Sequence, residues 1–266
     1  MAPKRRDAGG RAAEEVKRYK RSADKVKDEF TCSITTELFF DPVTAEDGHL
    51  YERSAIEEWI ARPGQPKSPK TNVRMGRRLT PATKVRSIIE QMVRDGLLRS
   101  PAWSKKLADE KEVEKVRARA EGGDTDAMLD LGHWYGDGEM GLSKDSERSF
   151  GWYQRGHRLG GCATTTATLA LCYLNGDGVE KNVGHGMHLM TSAAERGSEL
   201  ACFMLGANFA VGMNGLPKDA YAATHWFRAM ESATERMVYM GDDDGGQVKK
   251  CRDHAAAWLR DNAVDA

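Results

Sequence analysis

The sequence lacks the features that mark several common classes of protein. No apolar run approaches the roughly 20 residues of a membrane-spanning helix, and the N-terminus lacks the apolar middle of a secretory signal. The 40 Lys and Arg residues equal the 40 Asp and Glu residues, so no net charge draws the chain to nucleic acid or to a membrane. The five cysteines are scattered and form no C-x-x-C pair, which argues against a disulfide framework and a zinc site: Cys32, Cys162, Cys172, Cys202 and Cys251. We therefore expect a cytoplasmic protein, with the nucleus as an alternative, that needs no metal and no cofactor.

Composition divides the 266 residues into four segments. Residues 1–28 form a basic arm that ends in a charged helix, although PKRR and KRYKR could also be read as a nuclear-import signal. Residues 29–99 form a compact unit, and residues 100–122 form an exposed linker helix of alternating charge. Residues 123–266 are rich in Ala, Gly, Met and aromatic residues. Within them GDDDGG at 241–246 could suggest a cation loop, but the Glu that ends a calcium loop is missing, so we interpret it as a turn.

The last segment repeats itself at spacings of 38 and 36 residues. Small residues recur where two helices must approach closely: Gly132, Ala170 and Gly206. Glycines recur where the chain must reverse: Gly138, Gly176 and Gly212. Helix-capping residues follow them: Asp145, Asn182 and Asp219. A period near 37 predicts stacked helical hairpins, each of which needs a neighbour to bury its apolar face.

These repeats resemble Sel-one-like repeats, which are related to the tetratricopeptide repeat. The resemblance covers about residues 124–234 in three units. The segment from Gly246 is expected to form a helix that caps the stack. Most of the aromatic residues at this spacing should be core, although they could also line a concave binding face: Trp134, Trp152, Tyr153, Phe209, Trp226 and Phe227.

The compact unit begins with two short strands and a helix. Asp47-Gly48 suits a hairpin turn that requires positive φ, between strands at 42–44 and 49–51. Ser54 to Glu57 has the form of a capping box, so a helix is expected to begin there. Its apolar face comprises Ile56, Trp59 and Ile60. A second helix is expected within 79–98, with four apolar residues on one side: Val85, Ile88, Ile89 and Met92.

Three motifs in this unit are similar to those of the U-box family. They are F-x-C-x-I-T-x-E-L-x-x-D-P-V, D-G-x-x-Y-E-R-x-A-I-E-x-W and S-P-x-T-N, and they span about residues 29–95. The resemblance implies a RING-like domain in which hydrogen bonds and salt bridges replace the zinc sites. We therefore expect a multidomain chain, with a small α+β U-box followed by an all-α solenoid of helical hairpins.

The resemblance also implies a function. U-box proteins are ubiquitin ligases that bind a ubiquitin-loaded conjugating enzyme and promote transfer of the ubiquitin to a substrate lysine. The thioester cysteine belongs to the conjugating enzyme, so no catalytic nucleophile is expected here, and Cys32 is interpreted as a small buried residue. The residues expected to bind the conjugating enzyme are Ile34, Trp59, Pro69 and Asn72. For Ile34 and Trp59 the alternative is a place in the core.

Polar residues would fix the two loops that flank the binding groove. Glu52, Arg53, Ser68 and Thr71 are the candidates, although each would also suit an ordinary polar loop. Asn72 stands where some members of the family have an arginine, so it can donate a hydrogen bond but supplies no charge. Ala82 replaces a common asparagine, which leaves the capping of the second helix to Thr80 or Thr83.

Two further interpretations remain open. The repeats would recruit a protein substrate or an adaptor to the U-box, but the chain could instead be a non-catalytic scaffold with a degenerate U-box. A homodimer is also possible, because some U-box proteins dimerise. Binding of nucleic acid by the basic arm is disfavoured, since the sequence shows no base-reading fold and no aromatic platform.

Overall fold

The computed structural model describes residues 27–235 and 246–262. The basic arm up to residue 26 and the acidic turn at 241–245 lie outside the described residues. The chain divides into two compact units, with the boundary between Ala108 and Asp109. Within the described ranges no helix is both long and apolar enough to cross a membrane.

The first unit contains a three-stranded antiparallel sheet in the order β2-β1-β3. The strands are β1 (Pro42–Ala45), β2 (Leu50–Glu52) and β3 (Leu79–Pro81), and Val43 lies opposite a residue of each neighbouring strand. Gly48 has a φ of 79°, which confirms the predicted hairpin turn. The third strand was not predicted, because three residues next to a helix carry too little pattern to be recognised.

Helix α1 (Arg53–Ala61) follows β2 directly. The predicted capping box is wrong. The helix begins before Ser54, its N-cap residue is Glu52, and no side chain caps it. The predicted apolar face is confirmed for Ile56 and Ile60, which are buried, whereas Trp59 is half-buried.

Helix α2 (Thr83–Arg94) buries Ile89, whereas half of the neighbouring Ile88 is exposed to solvent. The buried apolar side of α2 is therefore narrower than the sequence predicted. Ala82 occupies the N-cap position without any side-chain cap, so the predicted capping by Thr80 or Thr83 is wrong.

Helix α3 (Pro101–Glu121) occupies the segment expected to be an exposed linker. The helix is not exposed throughout, because several of its residues are buried. Trp103 is completely buried in the core of the first unit, and its indole Nε1 donates to the carbonyl of Phe39 at 2.8 Å. In the second unit Val113 and Val116 are buried with residues of the first repeat helix.

The second unit consists of three helical hairpins and a terminal helix. The hairpins pair α4 with α5, α6 with α7 and α8 with α9: Thr125–Asp137, Ser146–Arg158, Ala163–Asn175, Val183–Glu195, Glu199–Val211 and Ala220–Glu231. The predicted glycines end the first helix of each hairpin in the left-handed conformation, and the predicted Asp and Asn residues cap each second helix. A side chain at Gly132 would collide with Tyr153, and one at Gly206 with Phe227, so close approach requires glycine there.

A polar cluster joins the first two hairpins. Thr166 Oγ1 lies 3.0 Å from His157 Nδ1 and accepts a hydrogen bond from Arg196 Nη1 at 3.0 Å. Arg196 Nη2 also donates to the carbonyl of Gly161. Burial and the nearby Arg196 cation lower the pKa of His157, so the folded protein favours the neutral imidazole.

Terminal helix α10 (Gly246–Asp261) is fixed by an ion pair to α8. Arg252 donates from Nε and Nη2 to the two carboxylate oxygens of Glu199 at 2.7 and 2.9 Å. The Glu199 side chain is only 1% exposed, so the loss of this bidentate partner should be costly.

We predict that Arg252→Ala weakens the docking of α10. The free energy of opening this helix should fall by about 2 kcal/mol, because hydrogen bonds to a buried carboxylate are lost. Hydrogen exchange of peptides from 246–262 measures the change. Arg260→Ala, at an exposed site of the same helix, is the matched control, and equal exchange in both variants would contradict the assignment.

We also predict that the repeats lose stability as the pH falls below about 6.5. The unfolded chain then binds a proton at His157 while the folded chain still resists it, and the loss continues down to the lowered pKa of the folded state. Urea unfolding followed by helical circular dichroism measures the trend. His157→Gln should reduce the pH dependence, whereas His188→Gln at an exposed site should leave it unchanged.

Candidate functional site

The first loop of the candidate site comprises residues 32–37, closed by an antiparallel bridge between Thr31 and Leu38. Cys32 is completely buried, which confirms its interpretation as a small core residue. Its Sγ accepts the backbone amides of Ile34 at 3.4 Å and Glu52 at 3.3 Å. The thiol therefore connects the first loop to the start of α1.

Glu52 fixes the chain just after this loop. One carboxylate oxygen accepts the amide of Phe40 at 2.8 Å, and the other accepts that of Asp41 at 3.0 Å. The adjacent Arg53 donates from Nε to Asp41 Oδ2 at 2.6 Å. About a third of each side chain in this ion pair is exposed, so the pair contributes at most about 1 kcal/mol. Glu52 and Arg53 thus connect separate segments, as a loop-fixing role requires.

The second loop comprises residues 66–75, closed by a bridge between Lys67 and Arg74. Ser68 is buried, and its Oγ accepts the amides of Lys70 at 3.2 Å and Thr71 at 3.0 Å. It therefore shapes the loop from within. Thr71 differs, because among the described residues its hydroxyl accepts only the amide of Val73 in the same loop and connects no other segment.

A buried tyrosine connects the second loop to the hairpin turn. The Tyr51 hydroxyl donates to Asp47 Oδ2 at 2.7 Å and lies 3.5 Å from Ser68 Oγ. Burial raises the pKa of Tyr51 to about 12, so the phenol stays protonated and remains a donor at neutral pH.

The four residues expected to bind a partner lie on the two loops and on α1. Trp59 is half-buried, and its Nε1 donates to the carbonyl of Lys67 at 2.8 Å, which ties α1 to the second loop. Ile34 and Pro69 are also half-buried, so each leaves part of its apolar surface accessible. Asn72 is exposed, with a φ of 58°. The first loop is thus bonded to the N-cap residue of α1, Glu52, and the second loop to α1 itself.

Two further groups fix this region and were not recognised from the sequence. Glu46 accepts the amides of Gly76 and Arg78, each at 3.0 Å, and so holds the chain beyond the second loop. The Arg62 guanidinium lies 4.4 Å from the centre of the Trp59 ring. A carboxylate beside a turn has no distinctive sequence spacing, so the sequence did not indicate the role of Glu46.

Among the described residues, no group of three or more His, Cys, Asp or Glu side chains could hold a metal ion.

Comparison with known protein families identifies both units. Residues 26–95 match the family model of the U-box domain. Three segments match the model of the Sel1 repeat: residues 125–160, 167–198 and 200–230. The chain therefore carries a U-box followed by Sel1 repeats, and the predicted fold class is confirmed.

Individual relatives match the first unit. WD repeat, SAM and U-box domain-containing protein 1 from Homo sapiens is 44% identical over 64 residues, which cover 24% of this chain and 13% of the relative. E3 ubiquitin-protein ligase SPL11 from Oryza sativa subsp. japonica is 45% identical over 67 residues, covering 25% and 10%. The chain thus spans about a tenth of the length of these curated relatives. A crystal structure of a Sel1 repeat protein from Oxalobacter formigenes aligns with 45% of this chain and 88% of that one, at 25% identity and a TM-score of 0.41.

We predict that Glu52→Ala frees the chain after the first loop. The amides of Phe40 and Asp41 lose their carboxylate acceptor, which should lower the local opening free energy by about 1.5–3 kcal/mol. Hydrogen exchange at these two amides measures the loss. Glu58→Ala, at an exposed site on the same helix, is the control, and unchanged protection in Glu52→Ala would contradict this role.

Proposed function

We propose that this chain, which carries a U-box followed by Sel1 repeats, is a ubiquitin ligase. In this proposal the U-box binds a ubiquitin-loaded conjugating enzyme through Ile34, Trp59, Pro69 and Asn72. A substrate lysine attacks the thioester carbonyl, the C–S bond breaks and an amide bond forms. The amine loses its proton, and the thiol is released on the conjugating enzyme. The ligase contributes positioning rather than a nucleophile.

The observation that carries the proposal is the bonding of the first loop to Glu52, the N-cap residue of α1, and of the second loop to Trp59 within α1. Cys32 connects the first loop to the start of the helix, and Trp59 connects its last turn to the second loop. A binding surface whose parts are already ordered loses little conformational entropy when a partner docks. The accessible parts of Ile34 and Pro69 on either side supply the apolar contacts that a small interface needs.

Three of the five cysteines are unsuited to forming a covalent intermediate on this chain. Cys32 is completely buried. Burial raises the pKa of Cys172 to about 12 and that of Cys202 to about 11, so neither thiol is ionised at neutral pH. All five cysteines are free, which supports a reducing compartment, the cytoplasm or alternatively the nucleus.

The repeats are proposed to recruit the protein that receives ubiquitin, directly or through an adaptor. Three of the six candidate aromatics are unsuited to this task, because Trp134, Tyr153 and Phe227 are buried. Trp152, Phe209 and Trp226 are half-buried, so these three remain candidates for the recruiting surface. Should the U-box prove inactive, the repeats would make the chain a scaffold, which is the alternative function.

We predict that the full chain stimulates ubiquitin transfer in vitro with activating enzyme and at least one member of a panel of conjugating enzymes. Ile34→Ala should lower the rate by about tenfold or more, because an anchor of the interface is lost. Ile88→Ala is the matched control, since it makes the same change at a half-exposed isoleucine of α2 in the same unit.

Full activity in Ile34→Ala would exclude the proposed groove. No stimulation by the folded wild-type chain with any conjugating enzyme would overturn the ligase proposal and favour the scaffold. Sedimentation of the same samples tests whether the active species is a homodimer.

A further inference from the structure

A cavity of about 340 Å³ opens among the first three repeat helices. Residues of α4, α5 and α6 form most of its wall, and α8 adds Leu200. Its apolar surface comes from Tyr153, Leu171 and Cys172, and most of its remaining lining is polar. A volume of this size suits a single side chain or a small ligand.

Three hydroxyl groups of the wall donate their protons to other groups of the protein. Ser149 Oγ donates to the carbonyl of Gly132 at 2.6 Å, and Thr168 Oγ1 donates to that of Thr164 at 2.9 Å. Thr164 Oγ1 itself donates to Glu235 Oε2 at 3.2 Å. These three oxygens therefore retain lone pairs but no free proton, so they offer acceptors to a ligand.

Two carboxylates lie where helices end. Asp137 is the last residue of α4, and Asp177 follows the end of α6. Helix C-termini carry partial negative charge, which adds to that of the carboxylates. Lys144 is the opposing cation of the wall, and its side chain is exposed to solvent.

The helix N-termini beside the cavity are already occupied by carboxylates. Asp145 accepts the Arg148 amide at the start of α5. Glu235 accepts the amides of Ala163 and Thr164 at the start of α6, at 2.9 and 2.8 Å. These amides are therefore not available to bind an anionic ligand, and the carboxylates that they bind would repel it.

His133 completes the wall without adding positive charge. Burial lowers the pKa of this imidazole, so it is neutral at physiological pH. Its Nδ1 is buried without a hydrogen-bond partner among the described residues. Such an atom is usually satisfied by a bound group or by water.

The two carboxylates of the cavity are not repeated where the second repeat meets the third. The equivalent junction lies between the second and third repeats. There Asn175 occupies the position of Asp137 and Met213 that of Asp177, in the register set by the repeat leucines, and neither residue carries a charge. The acceptor-rich cavity is therefore particular to the first two repeats and is not a general property of the stack.

We propose that this cavity binds the cationic side chain of an arginine or lysine in a protein segment held by the repeats. A guanidinium or ammonium group supplies donors to these acceptors and positive charge to Asp137 and Asp177, which outnumber Lys144, the one cation among the described residues of the wall. This inference deepens the recruiting role proposed above and rests on it. Its test measures binding alone. Binding can therefore be absent while ubiquitin transfer is stimulated, and binding can be present while transfer is not stimulated.

The test is a titration of the full chain, labelled at its threonine and leucine methyl groups, by nuclear magnetic resonance at constant ionic strength. N-acetyl-arginine amide and N-acetyl-lysine amide are the probes, and N-acetyl-citrulline amide is the neutral analogue of the arginine probe. Saturable shifts at Thr164, Thr168 and Leu171 are expected with a cationic probe and not with citrulline.

Variants assign the binding to the cavity. Asp137→Asn combined with Asp177→Asn should weaken binding by about tenfold or more. Asp253→Asn combined with Asp261→Asn makes the same charge change at exposed sites of α10 and should have no effect. Lys144→Ala removes a positive charge that repels the cationic probe, so it should strengthen binding. Misfolding of the variant could not produce such a gain.

Three results would overturn the proposal. One is equal binding of the citrulline and arginine probes. Another is unaltered binding in the Asp137 and Asp177 double variant. The third is tight binding of free spermidine with no response to either amino-acid probe, which would assign the cavity to a small polyamine instead of a protein side chain.

Discussion

The carboxylate of Glu52 is the interaction on which the first unit depends. The residue ends β2, occupies the N-cap position of α1 and reaches back to the amides of Phe40 and Asp41. Its own amide donates to the buried Cys32 thiol. A single residue thus joins the sheet, the helix and the chain after the first loop. Buried polar groups are costly when unpaired, so such a junction tolerates little change.

The second unit depends on a different constraint, the close approach of paired helices. Glycine at 132 and 206 lets an aromatic ring from the partner helix lie directly against the backbone. The hairpins then stack through neighbouring contacts, as the period of the sequence requires. This arrangement leaves the polar ends of the helices free to form a cavity, while the aromatic residues fill the core.

Features that depend on nearby residues could be predicted from the sequence. The left-handed glycines and the capping residues of the repeats recur in register, and each acts within a few residues of its own position. The capping box at Ser54 failed for the opposite reason, because the N-cap residue of α1 is Glu52, two residues earlier, and its carboxylate accepts the distant amide of Phe40. Among the expected loop-fixing residues, Thr71 connects no described segment beyond its own loop. Glu46, which fixes the chain beyond the second loop, was not among the residues expected. Such bonds join residues far apart in sequence, and a single sequence carries no signal of that pairing.

The carboxylate of Glu235 has a consequence for how the protein is made. It caps the start of α6 from 71 residues further along the chain. At 5–20 residues per second, a ribosome needs roughly 4–14 s to synthesise that interval. During this time the first two amides of α6 lack their final acceptor. The second hairpin therefore emerges early but completes its native hydrogen bonds late, which makes it the part of the stack most dependent on protection while the chain is still being synthesised.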